Sequence, residues 1–273
     1  MTLPTVRRRI VALPPGHMYL REAGAGPAVV LMHWTPASSR QYAAVLPDLA
    51  ARGWRAVAPD HFGYGLSDPR PTRWMIGDYA DSIAALLDEL EIDDACVVGG
   101  HVSSEIAVEL ALRHPIRVRK LVLDGSPVWS RETREQVLKT ARQPPPKWSE
   151  DGAHFAWAWQ RALWLQRMWE PGLALDDAAA ERLRGATLDS LLAQQSDDSA
   201  DALKEYDMAA ALARVNVSTL AVTATTDPLN NCHAQVMGLV KSAAGHVFEG
   251  RHPLHDPARA AAYAAVLDAF LKS

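Results

Sequence analysis

Patterns typical of buried strands and of amphipathic helices alternate along the first half of the chain. Ala28 to Met32 is a continuous apolar run, which is typical of a strand covered on both faces. Between Ile76 and Leu90 apolar residues recur every three or four positions, as they do on one face of a helix. Arg119 to Leu123 again has the pattern of a strand. This alternation predicts an α/β fold, with a mostly parallel sheet and helices on both of its faces.

The alternation stops near residue 126. From there to residue 214 the sequence predicts helices and no convincing strand. Strands return at Thr219 to Thr223 and at Gly245 to Phe248, and a last helix follows. We therefore predict an α/β core formed by residues 1–125 and 215–273, with a helical cap inserted at residues 126–214.

The most specific local pattern is a strand, a tight turn and a helix around His101. In a turn this sharp, the residues two before and two after the tip must be small. Gly99 and Ser103 meet that requirement if His101 is the tip. If Ser103 were the tip, the bulky Glu105 would occupy one of the small positions. The spacing therefore predicts His101 at the tip, with Ser103 among the small residues that open the helix.

Several segments, in this order and spacing, resemble the α/β-hydrolase superfamily. The matching segments are Val29 to Trp34, Val57 to Asp68, the turn at His101, Leu121 to Asp124, Asp227-Pro228 and His252. The resemblance implies a catalytic triad of the residue at the turn, an acid after strand six or seven, and a late histidine. In this family the turn usually carries a serine, cysteine or aspartate. Here His101 stands at the position usually held by the nucleophile.

By the same resemblance, His252 is the late histidine, and Asp227 or Asp124 is the acid. We expect Asp227 to be the partner of His252, while Asp124 could equally serve a structural role by bonding loop amides. An imidazole oriented by a carboxylate can take a proton from water, a hydroxyl or an acidic C–H. The resemblance also implies an oxyanion hole formed by the backbone N–H groups of Trp34 and Val102. Because glycine is usual at position 34 in the family, the Trp34 indole should narrow the site or stack on a flat substrate.

The candidate cap helix, residues 151–169, is rich in indoles. Most of these rings could serve packing alone, but we expect a few to line an apolar substrate cavity above His101. The candidate pocket residues are His33, Trp34, Trp129, His154, Trp157, Trp159 and Trp164. His154, together with Arg161, could orient a polar group of the substrate or could simply face solvent.

Composition limits the possible partners. The net charge of −4 comes with no block of like charge, so we expect neither nucleic acid nor a membrane as a partner. The first residues show no secretion signal, and two cysteines cannot form a disulfide framework, so a cytoplasmic location is expected. We predict no cofactor and no metal. A metal held by His101, His252 and one aspartate is conceivable, but no metal-binding spacing supports it. The sequence leaves the oligomeric state open.

These observations favour an enzyme of hydrolase type with an atypical triad. We expect it to hydrolyse an ester, lactone or related carbonyl bond in a small apolar or aromatic substrate. In this hypothesis a His252–Asp pair activates water, and His101 either orients the reactants or acts as a nucleophile through an acyl-imidazole. Two alternatives remain open at this point. One is non-hydrolytic base catalysis, as in the family's cofactor-free dioxygenases and lyases, and the other is a ligand-binding pseudoenzyme.

Overall fold

A single eight-stranded sheet forms the centre of the molecule. The structure is a computed structural model that describes residues 3–141, 146–147, 149–193 and 202–273. The strands are β1 (Arg7–Leu13), β2 (Gly16–Ala23), β3 (Ala28–Met32), β4 (Arg55–Pro59), β5 (Ala95–Gly100), β6 (Val118–Asp124), β7 (Thr219–Ala224) and β8 (Ala243–Phe248). Their order in the sheet is β1-β2-β4-β3-β5-β6-β7-β8. Strand β2 is antiparallel to both of its neighbours, and the remaining pairs are parallel, which confirms the predicted fold class.

Helices cover both faces of the sheet. The described α-helices are α1 (Val45–Ala51), α2 (Ile76–Glu89), α3 (Val102–Arg113), α4 (Arg131–Ala141), α5 (Ala153–Trp169), α6 (Asp177–Leu192), α7 (Met208–Leu212), α8 (His233–Leu239) and α9 (Ala260–Lys272). All five residues of β3 are buried, as its apolar run predicts. Val29 and Leu31 pack in the core that includes α1 and α9, whereas Val30 and Met32 pack in the core that includes α2 and α3. This alternation follows from the two-residue period of a strand.

Helices α4 to α7 lie between β6 and β7 in the chain. Helices α5 and α6 share a small apolar core of their own, in which Leu163 and Leu183 are buried. Helix α5 ends at Trp169, and its C-cap residue is Glu170. The division into a core and a cap at residues 126 and 214 stays a prediction.

Among the described helices, none is both long enough and apolar enough to cross a membrane.

Candidate active site

The sheet brings the predicted site residues to one edge. Trp34 follows β3, His101 follows β5, Asp124 is the last residue of β6, and Asp227 follows β7. These four strands are neighbours and parallel, so their carboxyl ends meet at the same edge, where open α/β sheets place their ligand sites. His252 reaches this edge from the segment after β8.

His101 lies in a strained turn between β5 and α3. Its backbone has φ 50° and ψ −120°, and it is one of two non-glycine residues with positive φ in the described ranges. A Cβ atom at Gly99 would overlap the carbonyl oxygen of Ser103, so the turn requires glycine there. The tip of the turn is therefore His101, as the spacing predicts. Such backbone strain costs about 1–3 kcal/mol and is concentrated at functional sites.

Ser103 does not face the site. Its hydroxyl donates to the carbonyl oxygen of His33 over 2.5 Å and lies 3.0 Å from Nε2 of His61. The residue is 1% exposed. The side chain therefore joins α3 to the segment after β3, and its oxygen is not available to a substrate.

His252 pairs with Asp124. Nε2 of His252 lies 2.9 Å from Oδ1 of Asp124, and Oδ2 of the same carboxylate accepts from the Tyr263 hydroxyl over 2.6 Å. The backbone N–H of Leu254 donates to Nδ1 of His252 over 3.2 Å, so the ring proton is on Nε2 and points at Asp124. The expected pairing of His252 with Asp227 is wrong. Both ring nitrogens of His252 are engaged within the protein, and its side chain is fully buried.

Asp227 lies beside His101 instead. Its Oδ2 is 3.4 Å from Nε2 of His101, and its Oδ1 accepts from the backbone N–H of Leu229 over 2.7 Å. Burial raises the pKa of the Asp227 carboxyl, but His101 and the Leu229 N–H stabilise the anion and together hold the pKa below its usual value. The His101 side chain is 17% exposed, whereas that of Asp227 is fully buried. The site therefore contains two imidazole–carboxylate pairs, and the reachable imidazole is that of His101.

Trp34 covers His101. The two rings stack with centroids 4.2 Å apart and planes 20° from parallel. The indole lies over Gly100, where a Cβ atom would overlap its Nε1. The backbone N–H of Trp34, expected in the oxyanion hole, donates to Oε1 of Gln41 over 2.9 Å. This donor is therefore paired with a side chain of the protein, and its role in an oxyanion hole stays a prediction. Val102 opens α3, so its N–H has no acceptor within the helix.

Among the predicted pocket residues, His33 has a different position from the one expected. Its ring is fully buried, with Nδ1 2.9 Å from the carbonyl oxygen of Trp34. Its Nε2 accepts from the backbone N–H of His61 over 3.0 Å. Burial lowers the pKa of His33, which favours the neutral ring. His33 therefore holds the Trp34 segment from below, and the prediction that it lines the pocket is wrong.

The remaining predicted pocket residues lie on the inserted helices or just before them. His154 contacts the Phe155 ring, with centroids 4.3 Å apart, and the Arg161 guanidinium lies 5.7 Å from the centroid of the Trp157 ring. Trp159 packs against the α5–α6 core. Trp129 and Trp164 are partly buried. A role for these five residues in lining a substrate cavity stays a prediction.

The ring from the inserted helices that reaches His101 is that of Trp169, which the sequence-based pocket did not include. Its centroid lies 4.8 Å from that of His101 and 5.0 Å from that of Trp34. The next residue, Glu170, pairs with Arg251 at 2.5 Å and so ties the end of α5 to the segment that carries His252. The sequence feature that could have indicated this contact is the position of Trp169 at the end of the predicted helix, because the chain can turn back toward the sheet where a helix ends.

The described residues contain no group of three or more histidine, cysteine, aspartate or glutamate side chains arranged to hold a metal ion.

Comparison with known proteins gives relatives of several activities. A 2-hydroxymuconate semialdehyde hydrolase from a Pseudomonas species is 36% identical over 127 residues, which cover 45% of this chain and 44% of that protein. A haloalkane dehalogenase from Mesorhizobium japonicum is 33% identical over 112 residues, or 41% of this chain and 36% of that one. The chain thus spans less than half the length of these two curated relatives.

Similar solved structures extend over nearly the whole chain. An epoxide hydrolase from an endophytic Streptomyces superposes with a TM-score of 0.78 at 20% identity, covering 98% of this chain and 95% of that one. At this identity the likeness concerns the fold. The sequence pattern of the alpha/beta hydrolase fold family matches residues 27–249. This chain therefore belongs to the α/β-hydrolase fold family.

Proposed function

We propose that this protein hydrolyses an ester, lactone or related carbonyl bond in a small apolar or aromatic substrate, with His101 in the place of the usual nucleophile. Its general base is His101, oriented by Asp227. One observation carries the proposal: His101 is partly exposed and lies 3.4 Å from a fully buried carboxylate. This differs from the hypothesis of a His252 base, because His252 has no exposed surface and both of its ring nitrogens are hydrogen-bonded.

The chemistry follows from the orientation of the imidazole. With Nε2–H directed at Asp227, the lone pair of His101 is on Nδ1. Nδ1 takes a proton from water while the water oxygen forms a bond to the carbonyl carbon. The π electrons of the C=O bond move to its oxygen, giving a tetrahedral oxyanion. When the C=O bond reforms, the bond to the leaving oxygen breaks, and that oxygen takes the proton from Nδ1. Asp227 stabilises the imidazolium in between.

Two observations support the reaction and substrate class. The curated relatives include a 2-hydroxymuconate semialdehyde hydrolase, whose name gives an aldehyde-containing compound as its substrate. The surroundings of His101 include the stacked indoles of Trp34 and Trp169, each 7% exposed. Large apolar rings around a reactive imidazole favour a substrate of the same character.

The test is hydrolysis in ¹⁸O-labelled water, with a panel of phenyl esters and aryl lactones. We expect one labelled oxygen in the carboxylate product and no acyl adduct on His101 after rapid quenching. His101→Gln should reduce kcat by about two to four orders of magnitude, the usual contribution of a positioned acid–base group. Turnover that takes its oxygen from O₂ would contradict hydrolysis, and binding without turnover across the panel would favour a receptor.

A further inference from the structure

The indole N–H of Trp34 has no acceptor. The Nε1 atom is buried, and the whole residue is 7% exposed. Native structures pair nearly all of their buried polar groups, so an unpaired donor requires an explanation. This donor belongs to the ring stacked on His101, the residue proposed as the base. A donor left unpaired at such a place indicates that a ligand supplies its acceptor.

The packing around Trp34 holds the N–H at the turn itself. The Nε1 atom lies against Gly100, the residue just before His101, and the missing side chain at Gly100 makes room for it. On the other side of His101, the N–H of Val102 opens α3 and has no acceptor within the helix. One N–H donor, from the Trp34 side chain, therefore lies beside the residue before His101, and a second, from the backbone, belongs to the residue after it.

The backbone N–H of Trp34 cannot fill the same role while Gln41 holds it. Oε1 of Gln41 accepts that N–H over 2.9 Å, before any substrate is present. The same residue thus has its backbone donor engaged and its side-chain donor free. In an oxyanion hole built only from backbone amides, by contrast, the backbone N–H would be the donor left for the substrate oxygen.

We propose that the Trp34 indole N–H donates to the carbonyl oxygen of the substrate and to the oxyanion that forms from it. This inference rests on the proposed hydrolysis at His101. It assigns to a side chain the stabilisation of developing negative charge that backbone N–H groups commonly supply. It also defines the ligand chemistry. The substrate places beside His101 a carbonyl oxygen that gains negative charge during the reaction, and the carboxylate of the product offers a similar oxygen to the indole N–H.

The first test is kinetic. Trp34→Phe keeps an aromatic ring over His101 and removes the N–H donor together with the five-membered ring that carries it. We expect kcat to fall about 100-fold or more with little change in KM, as for the loss of one oxyanion donor. The matched control is Trp54→Phe, which removes an equally buried indole whose Nε1 donates to Asp268, at the opposite edge of the sheet. Its kcat should equal that of the wild type.

The kinetic outcomes separate the two proposals. If His101→Gln loses activity while Trp34→Phe keeps the kcat of the wild type, hydrolysis at His101 stands and the role of the indole is refuted. If neither variant loses activity, both proposals fail. A loss of kcat in Trp54→Phe as large as in Trp34→Phe would show a general effect of removing an indole and would also refute the assignment.

The second test does not require turnover. In a ¹⁵N-labelled sample, the Trp34 indole signal is the one missing from the Trp34→Phe spectrum. Added benzoate, a product-like carboxylate, should bind by calorimetry and move this signal downfield. A signal that stays in place while benzoate binds, or a failure of benzoate to bind, would overturn the proposal. Nε2 of His255 is another buried atom without a partner, and it could accept the indole N–H within the protein. If His255→Phe moves the Trp34 signal and benzoate does not, the donor is paired with His255 and the proposal is overturned.

Discussion

Nε2 of His252 lies 2.9 Å from Oδ1 of Asp124, and neither side chain has exposed surface. The Tyr263 hydroxyl donates to the other carboxylate oxygen over 2.6 Å. A buried carboxylate with a donor on each oxygen is well satisfied, and removing one donor leaves part of a charge unpaired. In this chain the three side chains of Asp124, His252 and Tyr263 join β6, the segment after β8 and α9. We interpret this network as structural.

Tyr263→Phe should therefore destabilise the fold by about 1–3 kcal/mol, because a buried charged acceptor loses a donor. Tyr42→Phe is the matched control, since that buried hydroxyl donates to the neutral carbonyl oxygen of Met32 over 3.1 Å. Its cost should be about 0.5–1.5 kcal/mol. Urea unfolding of the three proteins measures both values. Equal costs for the two variants would contradict a special contribution of the Tyr263–Asp124 hydrogen bond to stability.

The contribution of Asp227 to stability should depend on pH. Because its pKa in the folded state lies below that of an unfolded aspartate, the ionised group stabilises the fold above about pH 4. This contribution is lost as the pH falls through the folded-state pKa. The free energy of unfolding of the wild type should therefore drop toward that of Asp227→Asn as the pH falls from about 5 through the folded-state pKa. A difference that widens on acidification would show that the folded-state pKa is not lowered.

Gly100 and Trp34 should be energetically coupled. A methyl group at residue 100 would overlap Nε1 of Trp34, so Gly100→Ala must displace the indole from His101. We expect a loss of stability of about 1–3 kcal/mol, typical of overpacking, together with a loss of activity. In the Trp34→Gly background the same alanine should cost much less, with a coupling energy of at least about 0.5 kcal/mol. Additive stability changes in the double-mutant cycle would contradict the contact.

Local patterns were sufficient to predict the sheet and the turn at His101. The apolar run of β3 and the requirement for a small residue at Gly99 are both consequences of backbone geometry within a few residues. The pairing of the two aspartates could not be predicted in this way. Asp124 ends β6 and Asp227 follows the adjacent parallel strand β7, so both carboxylates lie at the carboxyl ends of neighbouring strands. The path of the segment after β8 decides which carboxylate His252 meets.

Two further features depend on contacts that one-dimensional patterns do not contain. The bulk of Trp34 is evident in the sequence, but the loss of its backbone donor depends on Gln41, whose side chain turns back from seven residues away. Trp169 belongs to a helix in which indoles occur on several faces. The contact of Trp169 with His101 depends on tertiary packing. The ion pair between Glu170 and Arg251 joins the end of α5 to the segment after β8.

The most direct test of the account is a comparison of Asp227→Asn with Asp124→Asn. Both changes replace a buried carboxylate by an amide of the same shape, and kcat is measured on folded protein with an ester from the active panel. If His101 is the base, Asp227→Asn should reduce kcat by about 100-fold or more. Asp124→Asn should mainly lower the free energy of unfolding. The reverse result, with kcat lost in folded Asp124→Asn and kept in Asp227→Asn, would show that His252 is the base and would contradict the central claim.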